Sequence, residues 1–482
     1  MITAKRNDLL PVILLAPTLL ICYLVKSVYL VVVIANMCWL FGMYYSISKI
    51  RERFCLFAFN LGYYLFLLGG FSISYLSTGS YEYFSNSYFT SSSDAVFHAV
   101  YSVMLSLMAV NCTYPFFSGL QICPNRSRRT DDSCITQQSP RFRQFIVWGL
   151  AISYVCLLIQ KGEETIIMRA TGYVNSYTLT TNLPSSLSYI SSLFYIFLFM
   201  YWSMMPAKRN TIVSLAAVAF LEIVILISGE RGEPISMALT CVFYILIRNR
   251  CGVRDIIIKK KHVIACIILL PFVFSALQAL SETRFQREYE TVSVFEGATD
   301  FLETQGGSIK IIANAYDLKE KISEMGGHTF VFGYIKDYLT NNVFARIILG
   351  KTKGLRTVQD ALSGNNFLQT YGYAYAPTTY LNQKGAGSTY IAEVFQDGGY
   401  PFLIIMSVFY AWLLSVLNKK QIYTPVQMAI VLNISRFISL LPRGMAMQWF
   451  TNTFAIQNIV VFLLVYWTSS HISVEERVGD IK

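Results

Sequence analysis

Lys and Arg are spread unevenly along this chain. About twelve apolar segments alternate with connectors, and the basic residues crowd into every second connector. That pattern confines the fold to helices crossing a bilayer. Lys and Arg are retained on the cytoplasmic side, and a spanning helix satisfies its own backbone groups internally. The expected spans are Leu9–Val25, Val28–Ile47, Cys55–Leu76, Ala95–Leu120, Phe145–Gln160 and Leu187–Met205, then Thr211–Ser228, Pro234–Ile247, Val263–Leu280, Gly399–Leu417, Val426–Leu441 and Asn452–Trp467. Most of them hold the ~20 apolar residues that a bilayer core requires. The fold class expected is therefore an all-α polytopic membrane protein, a single integral domain over 1–482, with both termini cytoplasmic.

With the N-terminus inside, the inner connectors hold 22 of the 39 basic residues and only 8 of the 28 acids. The overall charge of +11 is thus a topology signal, and a nucleic-acid partner is excluded. One outer connector, 282–387, is far longer than the rest and is neutral, with 11 basic and 11 acidic residues. A membrane protein with one large outward segment is expected to work on that face. Lys5–Arg6 before an apolar run reads as a retained signal-anchor, since no small-residue cleavage pattern follows. The ten Cys all fall in spans or inner connectors, so disulfides do not organise the outer segment. There is no CxxC and no HExxH, and the four His are scattered, so no metal is expected.

Within the outer segment, Gly307–Glu324 and Phe330–Leu349 carry apolar residues at helical spacing, with Gly326–Gly327 as a break. Two amphipathic helices on the membrane surface, closing over a cavity, are the expectation. From Leu368 to Gly387 the composition turns to Tyr, Gly, Pro and Thr, which reads as a loop. Its Tyr373, Tyr375 and Tyr380 are candidate sugar contacts, or else plain interfacial anchors. A helix starting at Ser388 is expected to run unbroken into the tenth span, its first turns protruding from the membrane.

Ionisable residues at the outer boundary are the ones to weigh, because they are costly there. Arg231 lies in Ser228–Gly232 (SGERG) and Arg443 in Leu441–Gly444 (LPRG), each followed by glycine. Arg436 shares a helix face with Arg443, Glu222 sits inside the seventh span, and Glu393 and Asp397 share a face of the tenth. Structural alternatives stand beside these readings. Arg231 would serve equally as an anchor or a partner of Glu230 or Glu233, and Arg436 as a bundle partner of Glu222. Glu393 and Asp397 would serve as a solvated helix start, and His328 as a structural residue. Guanidinium groups near lipid suit a phosphate, which they bind in a bidentate fork. A nearby carboxylate can take the proton of an attacking hydroxyl.

At these residues the chain resembles the oligosaccharide repeat-unit polymerases, the Wzy-type O-antigen or capsule polymerases of bacteria. The segment GSTYIAEVFQDGGYPF, Gly387 to Phe402, is similar to that family's segment entering a late span, and SGERG and LPRG resemble its two Arg-Gly turns. The resemblance implies a membrane-embedded, GT-C-like, inverting and metal-independent glycosyltransferase of the bacterial inner membrane, without cofactor. It implies a donor glycan on undecaprenyl diphosphate and an acceptor repeat unit on the same lipid, with a chain-length regulator protein as a further partner. The diphosphate would be held by Arg231 and Arg443, with Arg436 and Arg284 as secondary candidates. Glu393 and Asp397 would be the base candidates, and His328 with the three tyrosines would contact acceptor or sugar. Two other readings stay open. One is an O-antigen ligase, which His328 would serve. The other is a lipid-linked oligosaccharide flippase, for which short outer loops and symmetric halves would be expected.

Overall fold

A computed structural model describes residues 17–85, 89–119, 140–171, 183–228, 230–256, 265, 268–269, 271–279, 293–326, 329–342, 356–419 and 424–465. These residues are helical, joined by turns, with one isolated bridge between Ser85 and Thr90. Seven of the described helices are long and apolar enough to cross a membrane: Val28–Ser48, Ile50–Thr78, Ser93–Gly119, Pro140–Ala170, Ser185–Ser203, Lys208–Ile227 and Tyr390–Asn418. Gly232–Arg250 is of similar length but is not among them, and Pro425–Ile438 and Ile456–Val465 are shorter apolar helices. The expected first and ninth spans lie partly outside the described residues. The protein is a multi-pass helical membrane protein, and its helices fall into two compact units.

The first unit comprises 1–126, 292–419 and 438–448. Its centre is Ser93–Gly119, whose most apolar stretch is buried along its full length. Apolar side chains alone do not hold such helices together in lipid, so small and polar residues do the joining. Asn60 and Asn111 exchange amide hydrogen bonds at 3.0 and 3.1 Å, and Trp39 Nε1 donates to the Asn60 carbonyl at 2.9 Å. Asn36 donates to Ser72 Oγ at 2.9 Å, and Ser407 pairs with Ser106, which also meets the Tyr390 hydroxyl. The Arg53 guanidinium lies 3.5 Å from the Tyr45 ring centroid and donates to the Tyr45 carbonyl at 2.7 Å.

Two of these helices depart from regular geometry. The Ile50–Thr78 helix contains a five-residue π turn, Tyr64–Leu68. The helix beginning at Tyr390 does not run unbroken as expected. Gly398 and Gly399 leave helical geometry, Gly399 with φ +63°, and Pro401 follows. Only glycine adopts that φ without strain, and the proline ring cannot take the preceding turn's hydrogen bond. Apolar residues flank this break on both sides, within Ile391–Phe395 before it and Phe402–Met406 after it, and one helix was expected through the Gln396–Pro401 interruption between them.

The outer segment is more helical than its composition indicated. Ser293 and Glu296 form a capping box that opens Val294–Gln305. Ser308–Asp317, Lys319–Glu324 and Phe330–Asn341 follow, then Val358–Leu362. The stretch expected to be a loop folds into Phe367–Tyr375 and Pro377–Leu381. Phe367, Thr370, Tyr371 and Ala374 are buried at helical spacing, and Pro377 occupies a first-turn position where its missing N–H costs nothing. Packing of that buried face outweighs the Gly and Tyr content. The segment is tied down by Ser92, whose N–H and hydroxyl both donate to Asp317, and by Gln396, whose amide donates to the Ala315 carbonyl at 2.9 Å.

The second unit comprises 127–291, 420–437 and 449–482. Gly149 lets Phe197 pack directly on the Pro140–Thr171 helix. Trp202 stacks on Tyr244, with ring centroids 4.4 Å apart. Arg248, near the end of Gly232–Arg250, is 1% exposed and donates twice to Asp255, at 2.9 and 2.6 Å.

Candidate functional site

In the first unit a single turn gathers most of the chemistry. The segment 438–448 carries Leu441–Arg443 as a short 3₁₀ turn. Three elements hold it. Gly62 faces the Ser439 backbone so closely that any side chain there would strike the Ser439 carbonyl. The π turn lies beside it, with the Phe66 ring 5.5 Å from the Arg443 guanidinium carbon. Such turns recur at functional sites because they displace the helix backbone locally. The 390–418 helix supplies the third hold: Glu393 Oε2 accepts from the Ala446 N–H at 2.7 Å, and the Tyr410 hydroxyl donates to the Ala446 carbonyl at 2.9 Å.

Arg443 itself is exposed, and its Nη1 donates to Gln305 Oε1 at 2.8 Å. Gln305 closes the Val294–Gln305 helix, so the outer segment reaches the arginine directly. Surrounding atoms also desolvate Arg443, which lowers its pKa. A guanidinium placed there keeps its charge and offers its remaining N–H groups to an anion.

The two carboxylates sit behind and beside this turn. Glu393 is 1% exposed, with Oε1 accepting from Ser388 Oγ at 2.7 Å and Oε2 from Ala446. Asp397 accepts from the N–H groups of Phe330 and Val331, both at 2.8 Å. It thereby caps the Phe330–Asn341 helix from a distant part of the chain. Sequence spacing places both on one helix face, but their partners are fixed by tertiary packing.

Among the tyrosines, Tyr380 is 1% exposed, and its hydroxyl faces Gln369 Oε1 at 2.6 Å and the Thr357 carbonyl at 3.1 Å. Tyr373 and Tyr375 are half-buried and retain ring surface. Arg284 and His328 lie outside the described residues. His98 was not singled out from sequence. It is buried, its Nδ1 is 2.8 Å from the Tyr400 hydroxyl, and its ring stacks on Tyr316 at 4.2 Å. A histidine inside an otherwise apolar span is the signal that would have found it.

The second unit holds the other arginines. Arg231 is half-buried and occupies the N-cap position of Gly232–Arg250. Its neighbours are engaged: Glu230 with Lys161 at 2.8 Å, and Glu233 with Arg436. Arg436 also lies flat over the Tyr195 ring, 3.4 Å from the centroid. The Tyr195 hydroxyl donates to Glu222 Oε1 at 3.2 Å. Arg436 therefore pairs with Glu233 directly and meets Glu222 through Tyr195, where the sequence suggested Glu222 alone. Among the described residues, no three His, Cys, Asp or Glu side chains gather as a metal site.

No curated protein and no solved structure matches the chain. One family model does, that of the O-antigen polysaccharide polymerase Wzy, over residues 10–475. That span takes in both arginine turns, the Glu393 helix and the whole outer segment, the parts on which the resemblance was drawn, and a match across nearly the full 482 residues shows that the chain belongs to the O-antigen polysaccharide polymerase Wzy family.

Proposed function

We propose that the protein joins lipid-linked oligosaccharide repeat units by an inverting, metal-independent glycosyl transfer at the periplasmic face of the bacterial inner membrane. The acceptor's non-reducing-end hydroxyl attacks the anomeric carbon of the donor glycan. The new glycosidic C–O bond forms as the bond to undecaprenyl diphosphate breaks, and the diphosphate leaves with the electron pair. The attacking hydroxyl gives up its proton, which passes through water to the departing diphosphate. Negative charge develops on the departing diphosphate, and a preset cation there lowers the barrier.

The observation that carries this reading is Arg443, exposed on a turn held by the Ile50–Thr78 and Tyr390–Asn418 helices. A rigid turn keeps the guanidinium placed before the charge appears, so little reorganisation is needed. Arg231 is the second group assigned to the diphosphate. It sits at the N-terminal end of a 19-residue helix, where backbone N–H groups and the helix dipole favour an anion. Tyr373 and Tyr375 offer half-buried rings on which sugars can stack. A chain-length regulator protein would act on the same outer face.

Deletion in the native host, followed by a polysaccharide gel, tests the reading. Loss of the ladder with one repeat unit retained is the expected outcome. Loss of every repeat would instead indicate a ligase or a flippase. The orientation has its own test, motivated by the charge asymmetry of the connectors. A reporter fused within Gly307–Asn366 should read as periplasmic, and one at Arg126 or Lys260 as cytoplasmic. A cytoplasmic signal from the long segment would overturn the assigned face.

A further inference from the structure

We propose that Glu393 and Tyr410 are positioning residues, which clamp the backbone N–H and carbonyl of Ala446 and through them set Arg443 on the diphosphate. The assignment rests on the reading of Arg443 as the diphosphate-binding group, and it gives Glu393 a role other than taking a proton.

The geometry is specific. Ala446 is fully buried, its N–H donates to Glu393 Oε2 at 2.7 Å, and its carbonyl accepts from Tyr410 at 2.9 Å. One residue thus has both of its backbone polar groups held by side chains of a single helix, Tyr390–Asn418. The clamp is itself braced. Ser388 Oγ donates to the other oxygen of Glu393 at 2.7 Å, and Thr389, fully buried, caps the helix by accepting from the Ala392 N–H at 3.1 Å. The Tyr390 and Tyr410 rings meet edge to face with centroids 5.0 Å apart, which locks the tyrosine.

Between Ala446 and Arg443 the chain has little freedom. Arg443 N–H donates to the Leu440 carbonyl at 3.0 Å and Gly444 N–H to the Leu441 carbonyl at 3.2 Å, while Gly62 presses on Ser439 from the far side. A turn fixed at 439 and at 446 has one way to present residue 443. Both Glu393 oxygens are occupied by donors in a site closed to solvent, so the carboxylate faces the back of the turn. A buried acceptor lost from this pair leaves the Ala446 N–H unsatisfied, and the turn must move to find another partner.

Two readouts on purified full-length protein separate positioning from proton transfer. One is polymerisation of lipid-linked repeat units, and the other is the rate of tryptic cleavage after Arg443, which reports how firmly the turn is held without reference to activity. In Glu393→Gln the amide oxygen can still accept from Ala446 and its NH₂ can donate to Ser388, so activity should stay within about threefold, with cleavage unchanged. Glu393→Ala should lower kcat/KM about a hundredfold, as a small misplacement of a binding group does, and should speed cleavage. Tyr410→Phe removes only the carbonyl half of the clamp and should cost about tenfold, with intermediate cleavage. In an Arg443→Ala background, Glu393→Ala should add no further loss, because it acts through that arginine. Glu393→Gln as inactive as Glu393→Ala, with wild-type cleavage, would show that the carboxylate takes the proton itself and would overturn the proposal. Unchanged cleavage in Glu393→Ala would overturn it as well. If instead cleavage followed the clamp while wild-type protein made no polymer, the clamp would stand and the polymerase reading would fall.

Discussion

Arg443→Ala should nearly abolish the polysaccharide ladder while leaving the protein inserted and folded. The side chain is exposed and makes one hydrogen bond, to Gln305. Its removal therefore opens no cavity and strands no buried charge, and stability should change little. The catalytic effect is of a different size. Losing ~3 kcal/mol of stabilisation from a departing diphosphate corresponds to more than a hundredfold in rate. Arg443→Lys separates binding from anchoring. A guanidinium can grip phosphate oxygens in a planar fork while lying near the Phe66 ring, and an ammonium cannot. If Arg443 only anchored the turn at the membrane boundary, lysine would snorkel equally well and ladders would be near normal. The same comparison applies to Arg231. Normal ladders from both lysine variants, at matched expression, would remove these two residues from the site.

The sequence made the membrane architecture legible because apolarity and charge report it directly. Helices such as Ser93–Gly119 and Lys208–Ile227 fall where unbroken apolar residues run, since a bilayer allows little else. The Arg-Gly turns were legible for a related reason: a cation at the outer end of a span is costly and stands out. What stayed hidden depended on partners far along the chain. Glu393 spaced four residues from Asp397 reads as a carboxylate pair, yet one clamps Ala446 and the other caps Phe330 and Val331. No local pattern encodes a bond across more than fifty residues. The Gly398–Gly399 break was legible in the sequence, with Gln396 and Asp397 before it and Pro401 after it, and the expectation of one unbroken helix passed over it. Around Phe367–Tyr375, composition and packing disagreed. Turn residues suggested a loop, and the buried stripe of Phe367, Tyr371 and Ala374 made a helix.

Arg436→Ala should act in the opposite way to Arg443→Ala, failing first in stability. Arg436 is a secondary diphosphate candidate by sequence, but its surroundings in the second unit are those of a structural cation. It pairs with Glu233, its side chain is 12% exposed, and its guanidinium covers the Tyr195 ring at 3.4 Å. Tyr195 in turn donates to Glu222, which is 7% exposed. Removing the arginine leaves Glu233 without its counter-charge and Glu222 with only a tyrosine. Breaking a buried pair on one side typically costs ~3–5 kcal/mol, a large part of a protein's whole stability. The expected result is a sharp drop in steady-state level and in thermal midpoint in detergent. Arg436→Lys should recover little, because an ammonium cannot both pair with Glu233 and lie flat on the ring. The double variant Arg436→Leu with Glu233→Leu should be more stable than Arg436→Ala, since it removes both charges and keeps apolar volume. That recovery separates the two roles. A bundle cation can be replaced together with its partner, whereas a cation that binds substrate cannot. Arg436→Ala protein as stable as wild type but unable to polymerise would return Arg436 to the diphosphate site.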